Sequence, residues 1–293
     1  MNGILVVNKP IGITSHDVVN EVRRAYNTKK VGHVGTLDPI AEGVLVVCVN
    51  QATKLAPFLE SDDKIYVCKV LVGQSTDTYD ITGNITQKLD SFTITEELID
   101  NTLTKFKGKL SQFPPIYSAI KVNGKKLYQY ARSKQEVIIE PRNVEVYEIY
   151  RKNQIEIIDG QVYFSFYSHV SKGTYIRSIV NDIGKELQIP CCMAELKRVK
   201  SGLFDISQSY SLDEVKLGKS RLVKMLDCLD FEKIDITNNS EIFNKIKNGM
   251  KLSLSTFDEK YDKIAFIYQT ELLAIYEFND EQFPCYKATR VWL

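Results

Sequence analysis

An unbroken run of six apolar residues at 44–49, Val-Leu-Val-Val-Cys-Val, limits the folds open to this chain more than any other segment. Because the run is short and lies between Gly43 and Asn50, it predicts a strand that is buried on both faces. The chain has 293 residues, of which 44% are hydrophobic, so it has enough apolar side chains to cover such a strand on both sides.

Other segments predict a mixture of strands and helices. Strands are expected over 3–7, 64–72, 144–150 and 162–167, and helices after a cap at Thr14 and Ser15, over 95–106 and over 171–187. The helix over 95–106 should bury Leu98, Ile99, Leu103 and Phe106. A strict βαβα alternation is missing, so we predict an α+β fold with a mixed, largely antiparallel sheet flanked by helices.

The last 60 or so residues differ from the rest, because short β runs alternate there with polar turns. We therefore place a domain boundary near Phe231, which gives a first domain of residues 1–231 and a small β-rich domain of residues 232–293.

Charge and cysteine usage exclude several classes of protein. The formal net charge is only +1, so any nucleic-acid surface must come from local segregation of charge. The six cysteines form no CxxC pair and the three histidines are far apart, which argues against a metal site and a disulfide framework. No signal peptide or membrane-spanning run is evident, so we expect a soluble cytoplasmic protein.

The glycine-rich loop at 32–43 is the best candidate for chemistry. Asp38 precedes Pro39, which disfavours helix, and the loop leads directly into the predicted buried strand, which would hold it rigidly. A carboxylate held in this way suits nucleophilic or general-base catalysis. Asp-Pro is also a common turn dipeptide, so the residues alone leave both interpretations open.

Several motifs resemble those of one enzyme family. The segment G-H-V-G-T-L-D-P-I-A-E-G-V-L-V-V resembles the catalytic loop of the tRNA pseudouridine-55 synthases, the TruB family. Asn50, which follows the predicted buried strand, stands where the family usually has glycine. The C-terminal part of the chain matches the family only weakly. The other matching motifs, in family order, are N-K-P at 8–10 with the T-S that follows, A-T-K-L at 52–55, K-I-Y-V-C-K-V-L-V-G at 64–73, T-D-T-Y-D at 76–80, P-P-I-Y-S-A-I-K-V-N-G-K-K-L-Y-Q-Y-A-R at 114–132 and S-K-G-T-Y-I-R-S-I at 171–179.

The resemblance implies a pseudouridine synthase fold with a short, divergent PUA-like RNA-binding domain at the C-terminus. It implies isomerisation of uridine 55 in the tRNA T-loop without metal or cofactor. The target base must be flipped out of its stack, and an aromatic face must replace the lost stacking. By resemblance, Asp38 is the catalytic carboxylate, Arg177 forms the ion pair that positions it, and Tyr66 is the platform for the base.

The same resemblance assigns five residues to substrate binding. His33 is expected to wedge into the T-loop, Leu196 to close the apolar side of the uracil pocket, and Asp80 to contact RNA near the site. Lys9 and Tyr175 complete the set, with a tight turn at 172–173 bringing Tyr175 into the site. Taken alone, each would be read as an ordinary core or surface residue.

Residues 101–135 contain eight Lys or Arg and no Asp or Glu, with tyrosines interleaved. This excess predicts an RNA-binding surface that includes Lys121, Lys125, Lys126 and Arg132, because basic groups neutralise phosphates and aromatic rings stack on bases. A second basic cluster is predicted at residues 197–200. The alternative is a solvated face balanced by acids from elsewhere in the fold.

Two other functions remain open from the sequence. A tRNA-binding folding helper would need the same basic surface but not Asp38. A guide-RNA-dependent enzyme would be expected to carry a lysine-rich tail and partner proteins, whereas this chain ends in a neutral Val-Trp-Leu. We expect a monomer that acts on the T-arm stem-loop of tRNA and requires no protein partner.

Overall fold

A computed structural model of the chain describes residues 1–60, 63–257, 259–280 and 284–292. Leu293, which completes the neutral C-terminal tripeptide, and residues 258 and 281–283 of the predicted second domain lie outside the described residues. None of the helices in the described ranges is long and apolar enough to cross a membrane.

The larger part of the molecule is a sheet with helices packed against it. Its helices are α1 (Ser15–Ala25), α2 (Ala56–Leu59), α3 (Glu96–Thr104), α4 (Leu127–Arg132), α5 (Ile176–Leu187) and α6 (Leu212–Lys216). Its strands are β1 (Gly3–Lys9), β2 (Val31–Val34), β3 (Ala41–Val49), β4 (Lys64–Val72), β5 (Gln74–Thr76), β6 (Ile85–Lys88), β7 (Gly108–Gln112), β8 (Lys121–Val122), β9 (Lys125–Lys126), β10 (Arg142–Arg151), β11 (Glu156–Ile158), β12 (Gln161–Val170), β13 (Cys191–Ser201) and β14 (Phe204–Asp205).

Ten of these strands, among the residues described, form one sheet whose main order is β1-β3-β13-β4-β12-β10-β7. β13 is parallel to β3 and antiparallel to β4, and the other pairings along this order are antiparallel. The predicted α+β class, with a mixed and largely antiparallel sheet flanked by helices, is confirmed.

Strand β3 is buried on both faces, as its six apolar residues predicted. Leu45, Val47 and Val49 share a hydrophobic cluster with Val18 and Val22 of α1. The alternate residues of the strand pack in a second cluster with side chains of the C-terminal part of the chain. β3 therefore forms a rigid base for the loop that precedes it.

Helices α3 and α5 cover the other half of the sheet. Ile99 and Leu103 of α3 pack in one cluster with Phe164 and Phe166 of β12, together with apolar residues of α5. Leu98 was predicted to join them, but its side chain is 41% exposed. The α-helical repeat of about 100° per residue places Leu98 beyond the edge of the apolar stripe that Ile99 and Leu103 define.

A second, smaller sheet follows from Glu232 onward. Within the described ranges its strand order is β15-β17-β18-β19-β16, and its own apolar core lies beneath it. Its elements are β15 (Glu232–Asp235), α7 (Ser240–Lys247), β16 (Leu252–Ser253), β17 (Lys263–Tyr268), β18 (Glu271–Asn279) and β19 (Cys285–Val291).

The C-terminal sheet contacts the larger part of the molecule just after the end of β3. The indole Nε1 of Trp292 donates a hydrogen bond to the Gln51 carbonyl at 3.0 Å, and Lys54 Nζ donates to the Val291 carbonyl at 3.0 Å. Trp292 is buried in the same cluster as Val46 of β3. Because these hydrogen bonds are directional and Trp292 is buried, the C-terminal sheet is packed firmly against the larger part.

Candidate active site

The loop that carries Asp38 joins β2 to β3, and residues outside it hold its backbone in place through hydrogen bonds. Ser15, buried at the start of α1, donates from Oγ to the Leu37 carbonyl at 3.0 Å and accepts from the Leu37 amide at 2.9 Å. The Gly12 amide donates to the Pro39 carbonyl at 2.8 Å. The sequence had indicated Ser15 as part of a helix cap and of a family motif, and gave no reason to expect that it fixes this loop.

Asp38 forms the ion pair that the resemblance implied. Its Oδ2 lies 2.9 Å from Nη2 of Arg177, near the start of α5. The Arg177 side chain is 5% exposed, whereas 37% of the Asp38 side chain is exposed. The arginine is therefore a fixed internal support, and the carboxylate is open to a substrate on one side. The predicted Asp38–Arg177 pair is confirmed.

Arg177 is itself held by three further groups. Nη1 donates to the Thr78 carbonyl at 3.0 Å, and Nη2 donates to the Tyr117 carbonyl at 2.9 Å. Nη1 also lies 3.6 Å from Oδ2 of Asp80. A planar guanidinium fixed along two edges has little freedom to rotate, so it determines where the Asp38 carboxylate points.

Asp80 serves mainly as an internal partner of Arg177. Its side chain is 6% exposed, and its Oδ1 accepts hydrogen bonds from the Thr82 amide at 3.0 Å and from the Thr78 hydroxyl at 2.9 Å. The resemblance suggested that Asp80 contacts RNA. The structure leaves little of its surface for such a contact, and its carboxylate faces Arg177 instead.

The electrostatics at Asp38 result from opposing contributions. Loss of surrounding water raises the pKa of the Asp38 carboxyl above its ordinary 3.8. The charge of Arg177 opposes this increase, and the nearby charge of Asp80 adds to it. A carboxylate whose pKa is raised is a better base and nucleophile than one in open water, while Arg177 favours its ionised form.

The apolar side of the site is formed by a cluster that includes Tyr66 on β4 and Leu196 on β13. Both are 7% exposed, and Leu37 and Ala41, on either side of Asp38, belong to the same cluster. The side chains predicted to hold a detached uracil therefore lie beside the catalytic loop. Their contact with a base stays a prediction.

Tyr175 lies at the N-cap position of α5, immediately before the helix, and follows the predicted turn at Lys172 and Gly173. Its backbone is fixed by Gln112, a residue that the sequence gave no reason to select. Gln112 Oε1 accepts from the Tyr175 amide at 2.8 Å, and its Nε2 donates to the Tyr175 carbonyl at 3.1 Å. Burial raises the pKa of the Tyr175 hydroxyl, so it stays neutral at physiological pH.

Lys9 does not lie where the substrate-binding assignment requires. Its side chain is 0% exposed, and Nζ donates to the carbonyls of Pro10 at 2.9 Å and Ile13 at 2.8 Å. Burial lowers the pKa of Lys9 to about 8, against the opposing charge of Asp38. A fully covered ammonium cannot contact RNA, so the assignment is wrong for this conformation, and Lys9 instead braces residues 10–13.

His33 lies in β2 and is half-buried. Its Nδ1 is covered and has no hydrogen-bond partner within the described part of the chain. Burial lowers the pKa of His33, and the charge of Arg198 lowers it further. The imidazole is therefore neutral at physiological pH, which suits insertion beside a base.

The four basic residues predicted to bind RNA are grouped on the β8–β9 hairpin and α4. Lys121, Lys125 and Arg132 are exposed, and Lys126 is half-buried. Lys126 Nζ and the Arg132 guanidinium lie 5.7 and 5.3 Å from the Tyr128 ring centroid. Exposed cations arranged around an aromatic ring match the chemistry of an RNA-facing surface.

Comparison with known proteins decides the family. The N-terminal domain of the TruB family pseudouridylate synthases matches residues 23–176. A tRNA pseudouridine synthase B from Staphylococcus saprophyticus is 40% identical and covers 99% of both chains, and one from Lactobacillus acidophilus is 42% identical over 94% of both. The chain belongs to the TruB family.

Two solved structures share the fold of this chain. The structure titled "Crystal Structure of a Cbf5-Nop10-Gar1 Complex" matches 99% of this TruB-family chain and 85% of that chain, with a TM-score of 0.70 and 23% identity. The archaeal box H/ACA sRNP Nop10-Cbf5 complex matches with a TM-score of 0.68 and 22% identity, over 99% of this chain and 86% of that chain. The predicted pseudouridine synthase fold is therefore confirmed, including a C-terminal β-sheet domain of the PUA-like kind.

One departure from the TruB motif has a clear explanation. Asn50 follows β3 at the position where the family usually has glycine, and its φ is +56°. This left-handed conformation favours glycine, but asparagine tolerates it better than most residues. Asn50 is also anchored, because its Nδ2 donates to the Met1 carbonyl at 2.7 Å and its Oδ1 accepts from Thr28 at 2.6 Å.

Proposed function

We propose that this protein isomerises uridine 55 in the T-loop of tRNA to pseudouridine. The observation that carries the proposal is the Asp38 carboxylate, fixed by Arg177 at 2.9 Å and open to a substrate on one side. The tRNA substrate is supported by the names of the relatives, which are tRNA pseudouridine synthases.

The reaction is an internal rearrangement of one nucleotide. The N1–C1′ bond breaks, the uracil turns, and C5 bonds to C1′. C5 then loses its proton, and N1 carries a proton in the product. Asp38 acts at the ribose, either by attack on C1′ or by removal of the 2′ proton, and both routes need its ionised form. Tyr66 and Leu196 hold the detached base meanwhile, and their apolar cluster excludes water.

We further propose that the flipped uridine leaves a gap in the T-loop that His33 occupies, with Tyr175 at the edge of the site. The β8–β9 hairpin and α4 bind the phosphates of the T-arm through their cations. Residues 232–293 form a second RNA-binding domain, which the Trp292 and Lys54 contacts hold at a fixed position relative to the site. We expect a cytoplasmic monomer that needs no partner protein.

The test is to incubate purified protein with an unmodified tRNA transcript and map pseudouridine by chemical labelling and primer extension. Asp38→Asn runs alongside, with Asp182→Asn as the matched control. Asp182 has a side-chain exposure of 38%, close to the 37% of Asp38, and it forms an ion pair with Lys185 at 2.8 Å. It lies on α5 about 140° around the helix from Arg177. The tRNA affinity is measured for all three proteins.

We expect pseudouridine at position 55 with the wild type and Asp182→Asn, none with Asp38→Asn, and the same tRNA affinity throughout. Tight binding without product from the wild type would refute the proposal. That result would favour a tRNA folding helper, since the exposed basic hairpin would serve binding alone. Product from Asp38→Asn would refute the role of Asp38.

A further inference from the structure

Arg198 on β13 is a buried charge that the reaction described above does not use. Arg198 is 1% exposed, and no carboxylate pairs with it within the described ranges of the chain. The sequence placed it in a basic cluster with its neighbours, and the structure shows that this is wrong for Arg198. Lys197, by contrast, is 43% exposed in its side chain and pairs with Glu42 at 3.0 Å.

The guanidinium of Arg198 spans the catalytic loop. Nη2 donates to the Gly35 carbonyl at 2.8 Å, at the start of the loop, and Nε donates to the Val44 carbonyl at 2.7 Å, within β3. Asp38 lies between these two points in the chain. A single rigid group therefore bonds to both ends of the segment that presents the catalytic carboxylate.

Gly35 and Gly43 leave the space that Arg198 occupies. A Cβ on Gly43 would lie 2.2 Å from the Arg198 carbonyl oxygen, which no side chain could tolerate. A Cβ on Gly35 would lie 3.2 Å from Nη1 of Arg198, and Gly35 has a φ of +68°. The close approach of β13 therefore depends on both glycines: Gly43 faces the Arg198 backbone, and Gly35 faces the Arg198 guanidinium.

We propose that Arg198 is a positioning residue for catalysis, which holds the two ends of the 35–44 segment at a fixed separation and so fixes Asp38 toward the ribose. The proposal rests on the proposed function for its catalytic part. Leu196, two residues earlier on β13, lines the expected base pocket. The same strand therefore aligns the carboxylate with the base.

The chemistry of Arg198 favours this role over a simple packing role. A buried cation without an acidic partner is costly, so the hydrogen bonds to the two carbonyls must persist in every folded molecule. The planar guanidinium offers donors in a fixed geometry that can reach both carbonyls at once, whereas one lysine ammonium is a point charge on a flexible stem. The charge is also close enough to add to the effect of burial in lowering the pKa of His33.

The test compares Arg198→Met and Arg198→Lys with Arg151→Met. Arg151 serves as the control because its side chain is also largely buried, at 16% exposed, and lies on β10. Unlike Arg198, it has an acidic partner, Asp100 at 2.8 Å. Three quantities are measured: the single-turnover rate of pseudouridine formation, the tRNA Kd, and the hydrogen exchange of the amides in residues 35–44.

We expect Arg198→Met to lower the single-turnover rate by about 100-fold, the typical effect of displacing a catalytic group by about 1 Å. Its tRNA Kd should stay close to that of the wild type, and exchange in residues 35–44 should become faster. Arg198→Lys should fall between Arg198→Met and the wild type. Arg151→Met should change neither the rate nor the exchange of this segment.

A wild-type rate in Arg198→Met, or an equal loss in Arg151→Met, would overturn the proposal. If Arg198→Met does not fold, Arg198→Lys provides the same readouts, and unchanged rate and exchange in it would overturn the proposal. If the wild type forms no pseudouridine, the proposed function fails separately. Hydrogen exchange of the amides in residues 35–44 would then decide whether Arg198 holds the loop. Unchanged exchange in Arg198→Met would refute the proposal that it does.

Discussion

Replacing Arg177 by methionine should destabilise the protein mainly through Asp80 and not through Asp38. The Arg177 and Asp80 side chains are 5% and 6% exposed, so the arginine leaves behind a buried carboxylate without a cation. Breaking a buried pair in this way typically costs about 3–5 kcal/mol. Asp38 is 37% exposed, and its pair with Arg177 should contribute little to stability because water screens it.

The Arg177→Met/Asp80→Asn double variant separates stability from activity. Asparagine keeps the shape of Asp80 and an oxygen that can accept from the Thr82 amide, but it removes the unpaired charge. The double variant should therefore be more stable than Arg177→Met alone, with a coupling of about 1–3 kcal/mol. Its single-turnover rate should stay about 100-fold or more below the wild type, because Asp38 has lost its support.

The assay is urea unfolding of the wild type, both single variants and the double variant, followed by single-turnover kinetics on each. Arg151→Met with Asp100→Asn provides a control cycle on an ion pair whose acid is 47% exposed, where the coupling should stay below about 1 kcal/mol. Additive effects of Arg177→Met and Asp80→Asn would refute the reasoning. Recovery of activity in the double variant would refute the claim that Arg177 acts through Asp38.

Three further predictions concern single features of the site. Tyr66→Leu should lower kcat/KM by about 10- to 100-fold, since stacking contributes about 1–3 kcal/mol per base, while Tyr66→Phe loses much less; equal losses would contradict a stacking platform. The pKa of Lys9 is about 8 in the folded state against 10.5 ordinarily, so the unfolded state binds more protons between these values. The free energy of unfolding of the wild type should therefore rise relative to Lys9→Met, by up to about 3 kcal/mol, from pH 8 to 10.5 in denaturant titrations, and a flat difference would contradict this. Lys125→Gln should weaken tRNA binding and reduce the slope of log Kd against log salt by about 1, with Lys216→Gln on α6 as a control that changes neither.

The general form of the fold could be predicted because it follows from local patterns. The apolar run at 44–49 favours a buried strand because it is short and lies between Gly43 and Asn50, and Thr14 caps α1 as its residue type predicts. The Asp38–Arg177 pair could not come from local patterns, since nothing in the periodicity of either segment points to the other. Only the resemblance to a family supplied it.

The errors of the sequence analysis have a common physical cause. Lys9 was assigned to substrate binding by resemblance, and Arg198 to a basic cluster with its neighbours, whereas both side chains are buried, which is rare for lysine and arginine. Both are buried because backbone carbonyls meet their side chains: those of Pro10 and Ile13 at Lys9, and those of Gly35 and Val44 at Arg198. The carbonyls at Arg198 come from segments distant in sequence. Composition cannot reveal such acceptors, because they belong to the main chain.

The position of β13 has a consequence for how the enzyme is made. This strand comes late in the chain, yet it lies between β3 and β4, which are synthesised much earlier. A nascent chain that stops before residue 191 holds Asp38 but lacks Leu196 and Arg198, and its sheet is open in the middle. Non-local pairings of this kind form slowly, because loop closure must precede them. The active site should therefore appear in one late step of folding, when β13 enters the gap, and chains released early should have no partial activity.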